Sequence, residues 1–434
     1  MVSQLKSSDN ESLPVGAVGG QTSNPILQNV ILRAVPEQDA VPALDSKPKL
    51  GRANAKHAVN SLFSDGGGTN IADGLTKGLQ TLEKRSHRNP VGSIMFLSDG
   101  RDTCPMILMG QPYLHLLPPS MRPGIEKKPF SIPIHTFGFG SDHDPLAMHA
   151  IASLSGGTFS FIESYETVQD AFAKCIGGLL SIVVRDLRLT LRSTSHGVRI
   201  NSIPSGSYPS EISGLQGSRG AITIGDLYAD EEKDFLIDIS VPAYAFSVEE
   251  DENENERRTP LVDVTCSYKD VASNERVEME SAEIQRPGFV APADIKVKLE
   301  VDRQMNRLHA AEGLAEAQQA AEKGNLEEAR AILSSTRSTV TASASGQAGD
   351  GLTLQLEAEM RETEEKMGCK RTYEQVGRAY ALSSMSAHSN QRASTRRRAG
   401  SGTTGDAYAT PHMANMVSKS HQVIKIEDVK EEED

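Results

Sequence analysis

Three short runs constrain this chain more than anything else in it: "VGSIMFLSDG" (91–100), "FSIPIHTFGFG" (130–140) and "GTFSFIES" (157–164). Each has apolar residues at consecutive rather than alternate positions. A strand of that kind has to bury both faces, which happens in a parallel sheet covered by helices on both sides. The segments between the runs have helical patterning. In "NIADGLTKGLQTLEK" (70–84), Ile71, Leu75, Leu79 and Leu82 form one stripe. "DPLAMHAIASLSGG" (144–157) offers Asp144 as N-cap and Pro145 at the first helical position, and stops at Gly156 and Gly157. "RANAKHAVNSLF" (52–63) and "YETVQDAFAKCIGGLLSIV" (165–183) are also helical in period. Residues 51–185 are therefore predicted as an α/β, Rossmann-like domain.

The period changes near Arg185. "VRDLRLTLRSTS", "GVRINSI", "RGAITIGDLY", "KDFLIDISVP", "PLVDVTCSYKD" and "NERVEMESAEIQR" alternate apolar and polar residues. That is the pattern of strands with one wet face, so residues 186–300 are predicted as a β-sandwich-like domain. The charge run "EEDENENERR" (249–258) reads as a solvated loop inside it. Residues 301–369 return to helical spacing, with Met305, Leu308, Leu314, Leu326, Ile332 and Leu333 as apolar positions. Gly324 and Asn325 suit a tight turn, giving an αα-hairpin followed by a third helix. Residues 1–50 are weakly patterned, with only "ILQNVILRAV" (26–35) as a candidate element. Residues 370–434, rich in Ser, Thr, Ala, Arg and Gly, read as a disordered tail.

Composition narrows the function classes. A formal net charge of −13 argues against general nucleic-acid binding, which needs a basic surface. Cys104, Cys175, Cys266 and Cys369 are far apart and no CxxC pair occurs, so no zinc ribbon or RING is expected within the chain. Such thiols fit a reducing compartment, and no apolar run approaches the about 20 residues that span a bilayer. The expected location is cytoplasmic or nuclear. GxSxG and Walker A sequences are absent. His135 reads as a strand histidine. Capping by Asp144 accounts for the trio Asp142, His143 and Asp144 more simply than a metal does.

"GGTN" (67–70), "IMFLSDG" (94–100) and "IHTFGFG" (134–140), in that order, resemble the von Willebrand factor A domain over Gly51–Ile182. The resemblance implies a divalent-cation site above the carboxyl ends of the strands. Its ligands are a DxSxS loop, a threonine and an aspartate. Thr69 matches the threonine and Asp99 the aspartate. Neither "SSDNES" (7–12) nor "LDSKPK" (44–49) supplies the DxSxS loop. Magnesium sheds its waters reluctantly, and two remaining groups would hold it poorly. The expectation is no cofactor and an incomplete metal site at Thr69 and Asp99. The strand preceding that loop is central in the family. Without it, Ser93–Ser98 is expected to lie at an open sheet edge prone to self-association, unless "NVILRAV" (29–35) replaces it or a partner donates a strand.

The order of A domain, β region and helical hairpin, with "ASLSGGTFSFIE" (152–163) and "PIHTFGFGSDHDP" (133–145), resembles the plant RING-type ubiquitin ligases of the wavy-root-growth family. The resemblance implies a protein-interaction module or adaptor in ubiquitin pathways, not itself an enzyme, that binds other proteins. The alternative is part of an active ligase whose RING lies on a longer isoform or a partner chain. In the tail, "IKIE" around Lys425 and "VKEE" around Lys430 fit a short pattern of SUMO attachment, and "VIKIED" (423–428) resembles a SUMO-binding strand. Arg396–Arg398 resembles a nuclear signal.

Overall fold

The structure is a computed structural model that describes residues 26–34, 69–84, 91–102, 113–118, 132–242, 258–287, 297–394 and 407–431. The α/β part is built as its patterning predicts. Helix α1 (Ile71–Glu83) buries Ile71, Leu75 and Leu79, the predicted stripe. Strands β2 (Ile94–Ser98), β3 (Ile134–Phe139) and β4 (Phe159–Ile162) form a parallel sheet in the order β2-β3-β4. Ile94 pairs with Ile134 and Thr136 with Phe159. Between β3 and β4, helix α2 (Pro145–Ser155) starts where Asp144 accepts the Ala147 N–H at 3.0 Å, and ends at Gly156. Helix α3 (Tyr165–Leu180) covers the other face, where Phe172 stacks on Phe137 at 4.7 Å. Among the described residues β2 pairs only with β3, and Leu97 is 49% exposed.

The sandwich is also as predicted in kind. One sheet has five strands, formed by β5 (Ile182–Ser193), β7 (Ser210–Ser213), β8 (Arg219–Tyr228), β10 (Arg258–Asp270) and β11 (Arg276–Pro287). Their order is β11-β10-β5-β8-β7. The facing sheet contains β6 (Arg199–Ser202), β9 (Lys233–Val241) and a strand from far upstream, β1 (Ile26–Ala34). Leu191, Ile222, Phe235, Ile239 and Val264 are fully buried between the sheets.

β1 corrects two expectations. The stretch 26–34 is a strand, and it joins the sandwich instead of replacing a strand of the A domain. It runs antiparallel to β9 over nine residue pairs, from Ile26 opposite Val241 to Ala34 opposite Lys233. Physically, β9 is buried along almost its whole length and needs a hydrogen-bonding neighbour on each side; β6 provides one and β1 the other. The sandwich is thus discontinuous in sequence, and its limits are not 186–300 alone.

The helical part begins with α4 (Leu299–Glu322) and α5 (Leu326–Ala342), an antiparallel hairpin turning at Gly324 with φ of +86°. Helix α6 (Gly351–Lys366) packs against both. The interior of the hairpin is Ala310, Leu314, Ala317, Ala329 and Leu333. At the start of α4 the predicted stripe fails. Gln304, Asn306 and Arg307 are buried, while Met305 and Leu308 are only half-buried. That end of α4 faces a polar junction rather than an apolar core.

The disordered tail is the largest correction. Residues 370–390 continue as helix, through a π-turn at Tyr373–Gly377 into α7 (Arg378–Asn390), and α8 spans Pro411–Glu431. α7 lies between α4, α2 and the outer edge of β4. Ser386 Oγ accepts the Phe159 N–H at 2.9 Å and Ser383 Oγ accepts the Phe161 N–H at 3.3 Å. Side-chain hydroxyls therefore do for the β4 edge what another strand would do. A serine- and alanine-rich stretch looks unstructured by composition; here the small side chains are what allow a helix to approach the strand so closely. α8 docks on α3 at Gly177 and Gly178. A Cβ at Gly177 would sit 2.9 Å from Met413 Cα and 3.0 Å from His412 O. Arg396–Arg398, Cys104, the predicted helix over 52–63 and residues 249–257 of the charge run lie outside the described residues.

Candidate functional site

The carboxyl ends of β2 and β3 form one loop face, the usual place for ligands in open α/β sheets. Asn70 caps α1 by accepting the Asp73 N–H at 3.0 Å, and Asp102 Oδ1 accepts the Ile71 N–H at 3.3 Å. Thr69 and Asp102 also form an isolated parallel bridge. These contacts tie the "GGTN" loop to the loop after β2. A Cβ added at Gly100 would lie 2.6 Å from Thr69 Oγ1, so the threonine hydroxyl rests directly on that loop. Ser98 Oγ donates to Gly100 O at 3.0 Å and shapes the turn that presents Asp99, which is exposed. The two residues singled out from sequence, Thr69 and Asp99, thus sit on touching loops. Asp102, which joins the loops, was not signalled by any motif.

Next to them, the β3 end turns at Gly140, whose N–H bonds Ile162 O at 3.0 Å. His143 Nδ1 donates to Gly140 O at 2.8 Å, and its ring packs on Gly138. His143 is therefore a structural brace, while Asp144 is an N-cap. Tyr165 stands at the rim, 82% exposed, its ring 4.4 Å from that of Phe139. An exposed aromatic on a loop face is a feature of interaction surfaces, and periodicity gives no sign of it. Among the described residues no group of three His, Cys, Asp or Glu side chains is placed to hold a metal ion. The two touching loops offer the Thr69 hydroxyl and the carboxylates of Asp99 and Asp102, the latter engaged by a backbone N–H.

Lys425 and Lys430 are both within α8, and the backbone of 423–428 is helical rather than extended. His135 is buried in β3 and held neutral: desolvation and the nearby Arg392 charge push it down to about 3. Burial drives the Cys175 thiol up to about 12 and the Cys266 thiol up to about 11, so neither is a nucleophile near neutral pH.

A second constellation lies at the junction of the three parts, and sequence reasoning did not find it. Glu231 accepts from Lys233 Nζ at 2.6 Å, from Arg392 Nε at 2.8 Å and from the Tyr228 N–H at 3.0 Å. Lys233 also donates to the carbonyls of Asn390 and Gln391 at 2.7 and 3.0 Å. Arg307 reaches His388 O at 2.9 Å, and His388 bridges Glu359 at 2.6 Å and Tyr408 at 2.9 Å. Burial lowers Lys233 to about 7. Glu231, though burial pushes it up, is held at about 2 by Arg392 and Lys233.

The α/β sheet and its loop face are those of a von Willebrand factor type A domain, and that family's description matches residues 42–174. A second description, "VWA / Hh protein intein-like", matches residues 350–422, which include α7 and part of α8. The chain is homologous to the WAV3 and WAVH ligases of Arabidopsis thaliana. It is 28% identical over 327 residues to E3 ubiquitin-protein ligase WAV3, covering 72% of this chain and 37% of that protein. With the probable E3 ubiquitin-protein ligase WAVH2 it shares 27% identity over 205 residues, 44% of this chain and 24% of the relative. The chain thus spans little more than a third of WAV3. Among solved structures, a von Willebrand factor type A protein from Catenulispora acidiphila superposes with a TM-score of 0.52 at 17% identity, over 81% of this chain and 76% of that one. Among the described residues no helix is long and apolar enough to cross a membrane.

Proposed function

We propose that this chain is a protein-interaction module or adaptor of the ubiquitin pathway and not itself a catalyst. The observation that carries the reading is the loop face, where Thr69, Asp99 and the exposed Tyr165 are presented on a braced scaffold. The cysteines of the sequence have no zinc-ligand spacing with which to recruit a conjugating enzyme. The decisive experiment is capture from plant extract with the whole chain against Tyr165→Ala and Asp99→Ala. Loss of a specific set of proteins supports the reading; identical sets with all three would end it.

A second reading has a specific observation behind it. The relatives are named as ligases and this chain spans only part of them. On that reading the chain is the recognition part of a ligase whose RING is on a longer isoform or a partner chain. Co-purification of the whole chain with a RING-bearing chain, and substrate ubiquitination by that complex with activating and conjugating enzymes, would favour the ligase reading; partners without any RING-bearing chain favour the adaptor.

The metal site is proposed to be vestigial. Magnesium titrated by calorimetry should bind no tighter than millimolar, and a micromolar event abolished by Asp99→Ala would refute this. Self-association through β2 is proposed on the exposure of Leu97, to be tested by size exclusion of Leu97→Lys. Modification at Lys425 or Lys430 is proposed; both lysines lie in helical backbone, so it would involve local unwinding of α8 if the target segment has to be extended.

A further inference from the structure

The β7 edge of the five-stranded sheet is open. β7 pairs with β8 alone among the described residues, and all four of its residues are exposed. Sheet edges are ordinarily covered or blunted by charge. The one charge on β7, Glu211, is engaged by Arg188 of β5. Ile212 is 42% exposed, and Leu215, in the turn that follows, is 90% exposed. That turn holds Gly214, Gln216 and Gly217 at positive φ, a costly conformation for Gln216, which carries a side chain.

The charge around this edge is also unusual. Residues 182–222 contain five arginines and two carboxylates, in a chain whose net charge is −13. Arg192 of β5 lies directly opposite Arg219 of β8, and both are exposed. Like charges facing each other on neighbouring strands are destabilising. In the other direction the same row runs through Asp263 of β10, 3.9 Å from Arg192, to Glu283 of β11. Its acids are therefore at the β11 edge and its arginines toward β7, where Ser213 pairs with Arg219 and ends the row. Among the described residues no carboxylate is paired with Arg219.

We propose that β7 is a docking edge for an extended acidic segment of a partner protein, which adds to the sheet as a further strand. The register sets its chemistry. A carboxylate opposite Ser213 falls on the outer face beside Arg219, and an apolar side chain opposite Ile212 falls on the inner face and covers it. The docked segment thus alternates acidic and apolar residues. A second copy of this chain fits poorly, because its β7 offers only Glu211, which Arg188 already holds. The edge is on the sandwich and separate from the loop face of the A domain, so it neither rests on the role proposed for that face nor shares its test.

The test uses the whole chain as bait for a display library of random peptides. Selection should enrich peptides that alternate Asp or Glu with Val, Ile or Leu, and a synthetic copy of one should bind in fluorescence anisotropy. Arg219→Glu should weaken it by about tenfold or more. Arg330→Glu, the same charge change at an exposed position of α5, should leave it within about twofold. A strand presents every second N–H to a given neighbour, so backbone N-methylation of one alternate set of peptide residues should abolish binding and of the other set leave it intact. That comparison uses the parent chain and holds even if Arg219→Glu fails to fold. Enrichment of basic peptides or of none, binding indifferent to Arg219→Glu, or equal tolerance of both methylated sets would each overturn the proposal. So would a peptide that binds only after residues 249–256 are replaced by glycine and serine, since the chain itself would then hold the edge.

Discussion

Replacing Glu231 by Gln keeps its shape and removes its charge. Glu231 is 3% exposed, and the partners of that carboxylate, Lys233 and Arg392, are 0% and 7% exposed. Three charged N–H contacts lie within 3.3 Å of it, and the Tyr228 N–H adds a fourth. Deleting one member of a buried pair leaves charge without compensation and costs about 3–5 kcal/mol. Part of the loss depends on pH. Burial already lowers Lys233 from its ordinary 10.5 to about 7, so the folded state holds fewer protons than the unfolded chain between those values. Its penalty is full below about 7 and is relieved as pH rises toward 10.5. Without Glu231 the folded Lys233 falls further, so the extra deficit is smaller at alkaline pH and grows as pH drops from about 7 to 4.5; below 4.5 the parent begins to lose the contribution of Glu231 itself, which is held at about 2, and the deficit shrinks again. Arg392 stays charged throughout, and its share does not vary. Because Arg392 ties the end of α7 to the sandwich, α7 and α8 should lose amide protection before the sheets do. Urea unfolding of Glu231→Gln at acidic and alkaline pH, with hydrogen exchange, measures both effects. The exposed pair Arg188–Glu211 provides the control, where Glu211→Gln should cost about 0–1 kcal/mol. If Glu231→Gln costs no more than that control, or its deficit does not grow between pH 7 and 4.5, the junction is not held as argued.

Three further outcomes follow from the packing. Ser383→Ala with Ser386→Ala leaves the N–H groups of Phe159 and Phe161 unpartnered at about 1–3 kcal/mol each, and hydrogen exchange at those two amides should speed selectively. Gly177→Val places side-chain carbon against Met413 Cα and His412 O, so α8 should detach and residues 411–422 become sensitive to limited proteolysis, with the sandwich unchanged. Asp144→Ala removes the N-cap of α2 at a cost of about 1 kcal/mol in unfolding, without effect on any magnesium response.

Local sequence determined much of this protein. The two-sided apolar runs required a covered parallel sheet, and Ile71, Leu75 and Leu79 were inward from their spacing alone. Asp144 and Gly156 set the ends of α2, and period-two alternation defined the sandwich strands, because all of these rest on neighbours in the chain. Thr69 and Asp99 were legible through motif order, and their loops do touch. What the sequence could not decide was which distant groups would meet. β1 finds its partner about two hundred residues away in β9, since any apolar strand can pair with any open edge and only the tertiary arrangement selects one. The polar face of α4, the serines of α7 and the Glu231–Lys233–Arg392 cluster read as solvent-facing because each is polar taken alone. They are buried because the fold supplies the opposite charge or the missing hydrogen bond from another part of the chain. Pairing of that kind is a property of positions in space, and it leaves no period in the sequence.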